Sequence, residues 1–165
     1  MTFEEYQKQA VAFRTESANN EEYLTLGLIE EVGEAAGKLA KRRRDGVFDD
    51  KAFIKELGDI LWFVANLADY YDRESDANLS VELKECFKKS AIVVLLNNTY
   101  QMIKIADYAV GGIKFGGDFF INLIGVVRGL ANCYGYTLEQ VAEINLAKLR
   151  DRQVRGVICG NGDER

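Results

Sequence analysis

Residues 50–72 read DKAFIKELGDILWFVANLADYYD, and large apolar side chains return in this segment every three or four positions. That spacing is typical of an α-helix, because a half-buried strand would alternate apolar and polar side chains. Asp49 or Asp50 is suited to cap the amino end of the helix. The apolar side chains cover most of the helix circumference, which predicts a largely buried helix. They are Phe53, Ile54, Leu57, Ile60, Leu61, Phe63, Val64 and Leu67.

Helical patterns also lie on both sides of this segment. Thr2 with Glu5, and Thr137 with Gln140, have the spacing of a capping box at a helix start. The chain contains no proline, the residue that most strongly interrupts helices, and no segment alternates like a strand. The predicted fold is therefore all-α, an antiparallel bundle of five to six helices in a single domain, 1–165. The other predicted helices span about 3–17, 20–44 (capped by Asn19 or Asn20), 80–110, 118–134 and 138–152.

The composition limits the possible chemistry. The formal net charge is −5, which argues against a nucleic-acid partner because such binding needs a basic face. The chain has no histidine, so catalysis by Ser–His or Cys–His pairs and zinc binding by histidine are excluded. Three widely separated cysteines and an acidic amino terminus are typical of a cytoplasmic protein. The longest apolar run, 91–96, is too short to span a membrane.

Two acidic motifs carry the functional signal. Residues 30–34 read EEVGE and residues 56–59 read ELGD, so each helix places carboxylates three positions apart on one face. Antiparallel neighbours can bring both motifs together, and such oxygen donors suit Mg²⁺ or Mn²⁺. A solvated acidic helix face is the alternative, but Glu56 falls inside the apolar sector of its helix, where an unpaired charge is costly. Four glycines are predicted to let the two helices approach closely: Gly27, Gly33, Gly37 and Gly58.

Polar side chains near the carboxyl end form a candidate phosphate-binding surface. They recur every three or four residues on the last predicted helix and are Asn145, Lys148, Arg152 and Arg155. They are suited to bind a polyphosphate, although a solvated basic helix end that favours the helix dipole has the same pattern. Trp62 is a candidate for stacking on a nucleotide base, with packing at an interface as the alternative.

The acidic pattern, E-E-x-x-E followed after about twenty residues by E-x-x-D, resembles the MazG-like superfamily of all-α nucleoside triphosphate pyrophosphohydrolases. The opening MTFEEYQ and the closing NLAKLRDR (145–152) resemble members of the same group. The resemblance covers 1–72, as the catalytic helices, and 117–165, as the carboxyl-terminal helices and tail. Residues 73–116 look like an insertion or a degenerate repeat, and the latter is suggested by the likeness of GDILWF at 58 to GDFFIN at 117.

The resemblance implies an activity and roles for these residues. It implies Mg²⁺-dependent attack of water on the α-phosphorus of a nucleoside triphosphate, which releases the monophosphate and pyrophosphate. It implies that the chain forms a homodimer or a higher homo-oligomer. The metal ligands it implies are Glu31, Glu34, Glu56 and Asp59, with Glu30 orienting water or binding a further ion.

Two alternatives belong to other classes of protein. One is a di-metal carboxylate oxidase built on a four-helix bundle, which requires Glu-x-x-His motifs that a chain without histidine lacks. The other is a non-catalytic helical interaction or regulatory protein that retains a fossil site. All five acidic positions of the motif are present, which favours the enzyme.

Overall fold

The computed structural model describes residues 1–71 and 117–157. These residues contain five α-helices and a short 3₁₀ turn at Glu16–Ala18, and none of them forms a strand, so the all-α prediction is confirmed. None of these helices combines the length and the apolar character that crossing a bilayer requires. The predicted helix at 80–110 and the whole of the predicted insertion, 73–116, lie outside the described residues. The helices are α1 Phe3–Val11, α2 Glu21–Asp45, α3 Asp50–Tyr70, α4 Gly117–Cys133 and α5 Leu138–Val154.

The helix starts follow the capping chemistry that the sequence predicts. Both capping boxes form, at Thr2 before α1 and at Thr137 before α5. Asn20 caps α2, its side-chain oxygen 2.7 Å from the backbone nitrogen of Tyr23. Asp49 caps α3 in the same way. Each cap satisfies a backbone N–H that has no partner within its own helix, so these residues fix where the helices begin.

The first helix ends earlier than predicted, at Val11 instead of residue 17. Apolar side chains recur at helical spacing from Phe3 through Tyr6 and Ala10 to Phe13, which favoured a longer helix. This spacing reflects burial and not a continuing helix, since Phe13 packs against the core from outside α1. Arg14 then donates to the backbone oxygen of Asn66 and to Asp69, at 3.1 and 2.6 Å. These contacts hold the connecting segment against α3 before the chain turns into α2.

Helix α3 is the centre of the bundle and contacts each of the other four helices. Six of its large apolar side chains have no exposed surface: Phe53, Ile54, Leu57, Leu61, Val64 and Leu67. Their burial supplies the main driving force for packing, about 1.5–3 kcal/mol for each fully buried large apolar side chain. Because α3 packs against four helices, polar side chains on its packed faces lie in the interior. This applies to Glu56 and Asp59, whereas Lys55 and Asp69 on the same helix are exposed.

Two of the four glycines that were predicted to allow close helix approach do so. A Cβ atom on Gly27 would lie 2.3 Å from the ring of Phe63, and one on Gly58 would lie 3.0 Å from the Cβ of Asn145. Gly33 and Gly37 face open space, so the prediction that they serve helix approach is wrong. The reason is rotational position, because both point away from α3 on the outer side of α2.

This difference predicts opposite effects for the same substitution on one helix. Gly27→Ala should lower the free energy of unfolding by about 1–3 kcal/mol, because the Phe63 ring must shift. Gly33→Ala has room for its methyl group and should raise it by up to ~1 kcal/mol through helix propensity. Urea denaturation of both variants measures the difference. Equal effects would contradict the assigned packing of α2 against α3.

Candidate metal centre

Three carboxylates from two helices converge on one point. Glu31 of α2 lies opposite Glu56 and Asp59 of α3, and one ligand oxygen from each lies within 4.8 Å of the other two. Glu56 and Asp59 share a face because they are three residues apart on one helix. Helices α2 and α3 run antiparallel, since Gly27 meets Phe63 while Lys38 meets Glu56. The two acidic motifs therefore meet, as the sequence predicts.

Burial makes this cluster unlike an ordinary acidic surface. The exposed fraction is 2% for Glu56 and 9% for Asp59, while Glu31 is partly exposed. The pKa of Glu31 is raised from 4.5 to about 8, first by burial and then by the charges of Asp59, Glu56 and Glu34. Repulsion between like charges at this depth requires compensating positive charge.

Two lysines supply part of that charge. The Nζ of Lys38 lies 2.8 Å from Oε1 of Glu56, and the Nζ of Lys148 lies 2.5 Å from Oδ2 of Asp59. Lys148 was predicted to bind phosphate, but Lys38 was not singled out from the sequence. The position of Lys38 could have indicated this contact, because Lys38 follows Glu31 by seven residues and so lies two turns along the same face of α2.

Asp59 has a second buried partner besides Lys148. Nδ2 of Asn145 donates to Oδ1 of Asp59 at 3.1 Å, and the hydroxyl of Tyr6 donates to Oδ1 of Asn145 at 2.8 Å. Burial and, secondarily, the charge of Asp59 raise the pKa of Tyr6 well above its usual range, so its hydroxyl remains a donor. No spacing in the sequence links Tyr6 to α3, so its contact with Asn145 could not be predicted.

Two of the predicted acidic residues lie outside the group of three. Glu30 and Glu34 are both exposed, on the outer side of α2. Glu34 lies close enough for its charge to raise the pKa of Glu31. Their roles as water-orienting residue and metal ligand stay predictions.

The remaining predicted substrate residues are Trp62, Arg152 and Arg155. Trp62 donates its indole N–H to the backbone oxygen of Ala10 at 3.1 Å. This contact joins α3 to α1 and is a packing contact. Arg155 forms an ion pair with Asp151 at 2.8 Å, and Arg152 is partly exposed on the last turn of α5. Binding of a base or a phosphate by these residues is a prediction that the contacts leave untested.

The donor set fits a hard divalent cation. Carboxylate oxygens are the ligands that Mg²⁺ and Mn²⁺ prefer, and the cluster contains neither a thiol nor an imidazole. With all three carboxylates ionised, the two lysines leave one negative charge uncompensated. Glu31, Glu56 and Asp59 are thus the residues that would hold the ion.

Comparisons with known proteins agree with this site. Residues 19–91 match the family model described as the MazG nucleotide pyrophosphohydrolase domain, a range that contains all five acidic positions. The gene 37 protein of Mycobacterium phage L5 is 44% identical over 55 residues, covering 30% of this chain and 48% of that protein. The chain therefore spans about half the length of this curated relative. No solved structure matches the chain. The family match confirms the resemblance to the MazG-like superfamily.

The raised pKa of Glu31 predicts how the stability of the metal-free protein varies with pH. The ordinary pKa of glutamate is 4.5, and the pKa of Glu31 in the folded protein is about 8. Between these two pH values the folded protein binds more protons than the unfolded chain. Its stability should therefore fall as the pH rises through this window. Glu31→Gln should flatten this dependence and raise the melting temperature at pH 8, as measured by thermal denaturation with chelator. Glu30→Gln is the control and should keep the wild-type slope. Identical slopes in wild type and Glu31→Gln would contradict the assigned environment.

Proposed function

We propose, on the premise that residues 19–91 are a MazG-like domain, that this chain hydrolyses a nucleoside triphosphate. The products are the nucleoside monophosphate and pyrophosphate, and the reaction uses Mg²⁺, for which Mn²⁺ can substitute. The observation that carries the proposal is the convergence of Glu31, Glu56 and Asp59, two of them buried, inside the matched segment. A dNTP or a noncanonical nucleotide is the proposed substrate class.

Different residues of the chain are proposed to bind the metal ion, accept the proton and orient water in this reaction. When bound, Mg²⁺ neutralises phosphate charge and lowers the pKa of water. The carboxylate cluster, Glu31, Glu56 and Asp59, would hold the ion and accept the proton that water loses. The oxygen of water forms the new bond to the α-phosphorus, the bond from that phosphorus to the bridging oxygen breaks, and pyrophosphate leaves. Glu34 and Glu30, exposed beside the cluster, are proposed as a further ligand and a water-orienting residue.

Lys38 and Lys148 are the proposed phosphate-binding residues nearest the carboxylates. The exposed fraction of their side chains is 29% and 17%, so each lies between the buried cluster and solvent. A cation bound by the carboxylates would replace part of the charge compensation that the lysines supply, which leaves their N–H groups available to phosphate oxygens. Arg152 and Arg155, farther along α5, are proposed to extend this positive surface towards the leaving pyrophosphate.

We also propose a homo-oligomer, as the resemblance implies. Helix α2 exposes large apolar side chains beside its acidic motif, with 46% of Tyr23 and 56% of Leu26 accessible. Both lie on the side of α2 that carries Glu30 and Glu34, so a second copy packed there would adjoin the cluster. A cytoplasmic location and the absence of membrane and nucleic-acid partners remain predictions from composition.

Asp59→Asn should abolish Mg²⁺-dependent release of pyrophosphate, with a loss of roughly 100-fold or more because a ligand charge is removed. The assay is a panel of NTPs and dNTPs in which monophosphate, pyrophosphate and orthophosphate are followed separately. Asp69→Asn is the matched control on the same helix, where the exposed carboxylate pairs with Arg14. Wild type that releases orthophosphate would redirect the assignment to a phosphatase, and wild type with no turnover would favour the non-catalytic alternative.

Lys148→Ala and Lys38→Ala should each lower kcat/KM by about tenfold or more, equivalent to ~1.4 kcal/mol of transition-state binding. Binding of Mn²⁺, measured by calorimetry, should persist in both variants because every carboxylate remains. Lys55→Ala removes an exposed lysine of α3 and serves as the control. If either variant loses Mn²⁺ while the control does not, the lysine acts on the metal centre and not on phosphate.

A further inference from the structure

We infer that Tyr6 and Asn145 are positioning residues for Asp59: the Tyr6 hydroxyl holds the Asn145 amide in the orientation in which it fixes one carboxylate oxygen of Asp59. The inference rests on the proposed function, because it gives this chain of hydrogen bonds a purpose at the metal centre. It also changes the role expected for Asn145, which sequence analysis placed among the substrate-binding residues.

The orientation of the amide follows from donor and acceptor chemistry. A carboxylate only accepts hydrogen bonds, so Asn145 must turn its Nδ2 towards Asp59, and the distance is 3.1 Å. Its Oδ1 then faces α1 and needs a donor. The hydroxyl of Tyr6 is that donor, at 2.8 Å. With phenylalanine at position 6, Oδ1 of Asn145 would lose its donor, and the Asp59 carboxylate alone would favour this orientation of the amide.

Burial makes this arrangement hard to replace. Tyr6 has no exposed surface and Asn145 is 2% exposed, so bulk water does not compete for these groups. An amide oxygen left without a donor at this depth is destabilising, which penalises the flipped orientation. The same burial argues against direct substrate contact, since each end of the Asn145 amide is engaged by protein.

Gly58 provides the space that this contact needs. A Cβ on Gly58 would lie 3.0 Å from the Cβ of Asn145 and 3.5 Å from its Nδ2. Glycine therefore allows α5 to approach α3 closely enough for the short side chain of Asn145 to reach Asp59. The glycine is the residue immediately before Asp59, so the space opens at the metal centre itself.

The two oxygens of Asp59 are held by different kinds of partner. Oδ2 faces the partly exposed ammonium group of Lys148, whereas Oδ1 faces the buried amide of Asn145. The amide is neutral and fixed, so it restricts rotation of the carboxylate without offsetting its charge. Groups that orient a metal ligand in this way commonly affect metal affinity by 10–100-fold.

The test is Tyr6→Phe, which removes one oxygen atom and keeps the ring. We expect the affinity for Mn²⁺, measured by calorimetry or electron paramagnetic resonance, to fall about tenfold. At saturating Mn²⁺ the KM for nucleotide should stay within twofold of wild type, because no substrate contact is lost. Tyr71→Phe is the matched control, since it removes a hydroxyl that donates to Glu21, away from the cluster. Thermal denaturation of both variants separates loss of folding from loss of metal.

A double-mutant cycle with Asn145→Leu asks whether Tyr6 acts through Asn145. The Tyr6→Phe change should add nothing to the loss of Mn²⁺ affinity in the Asn145→Leu background. Additive losses, or a Tyr6→Phe variant that binds Mn²⁺ as tightly as Tyr71→Phe, would overturn the inference while leaving the proposed function intact. A wild-type protein that binds no Mn²⁺ would instead overturn the proposed function and this inference together. If Asn145→Leu does not fold, the comparison of the two tyrosine variants decides alone.

Discussion

The structure depends on compensating the charge of Glu56 and Asp59, two carboxylates placed on the most enclosed helix of the bundle. Helix α3 packs against all four other described helices, and the apolar residues around these carboxylates have little or no exposure. Ionised carboxylates at that depth would oppose folding by several kcal/mol each if they had no partners. Lysines from α2 and α5 and an amide from α5 reduce this cost, so the surrounding helices bring polar groups to α3 as well as apolar ones.

Much of this arrangement could be predicted from the sequence because local rules govern it. The caps Thr2, Asn20, Asp49 and Thr137 begin their helices as expected, since a cap bonds to backbone only a few residues away. The meeting of the acidic motifs followed from helical periodicity and from the position of Glu56 within an apolar face. The early end of α1 could not be predicted, because the burial of Phe13 continued the helical pattern beyond the helix itself.

The unpredicted parts of the site depend on contacts between distant segments. Tyr6 and Asn145 are separated by 139 residues, and only the packing of α1 and α5 against α3 brings them together. The role of Lys38 was not predicted, for a different reason. A lysine on a helix is usually solvated, and its partner Glu56 lies on another helix. For Gly33 the sequence predicted a contact that does not exist. A glycine within the acidic motif suggested close packing, but the structure has open space there.

The family match covers only part of the site. Residues 19–91 contain the acidic positions, yet Tyr6, Asn145 and Lys148, which surround Asp59, lie outside that range. The matched segment therefore contains the carboxylates, while α1 and α5 contribute to their orientation and charge. Burial first, and then the charges of Asp59, Glu56 and Glu34, raise the pKa of Glu31 to about 8, so its ionised form is disfavoured in the empty pocket. A divalent ion bound at pH 7 would displace the proton from Glu31, so ion binding, proton release and bundle stability are coupled through one pocket. Such coupling is expected where a site is built for a ligand and not for maximal stability of the empty fold.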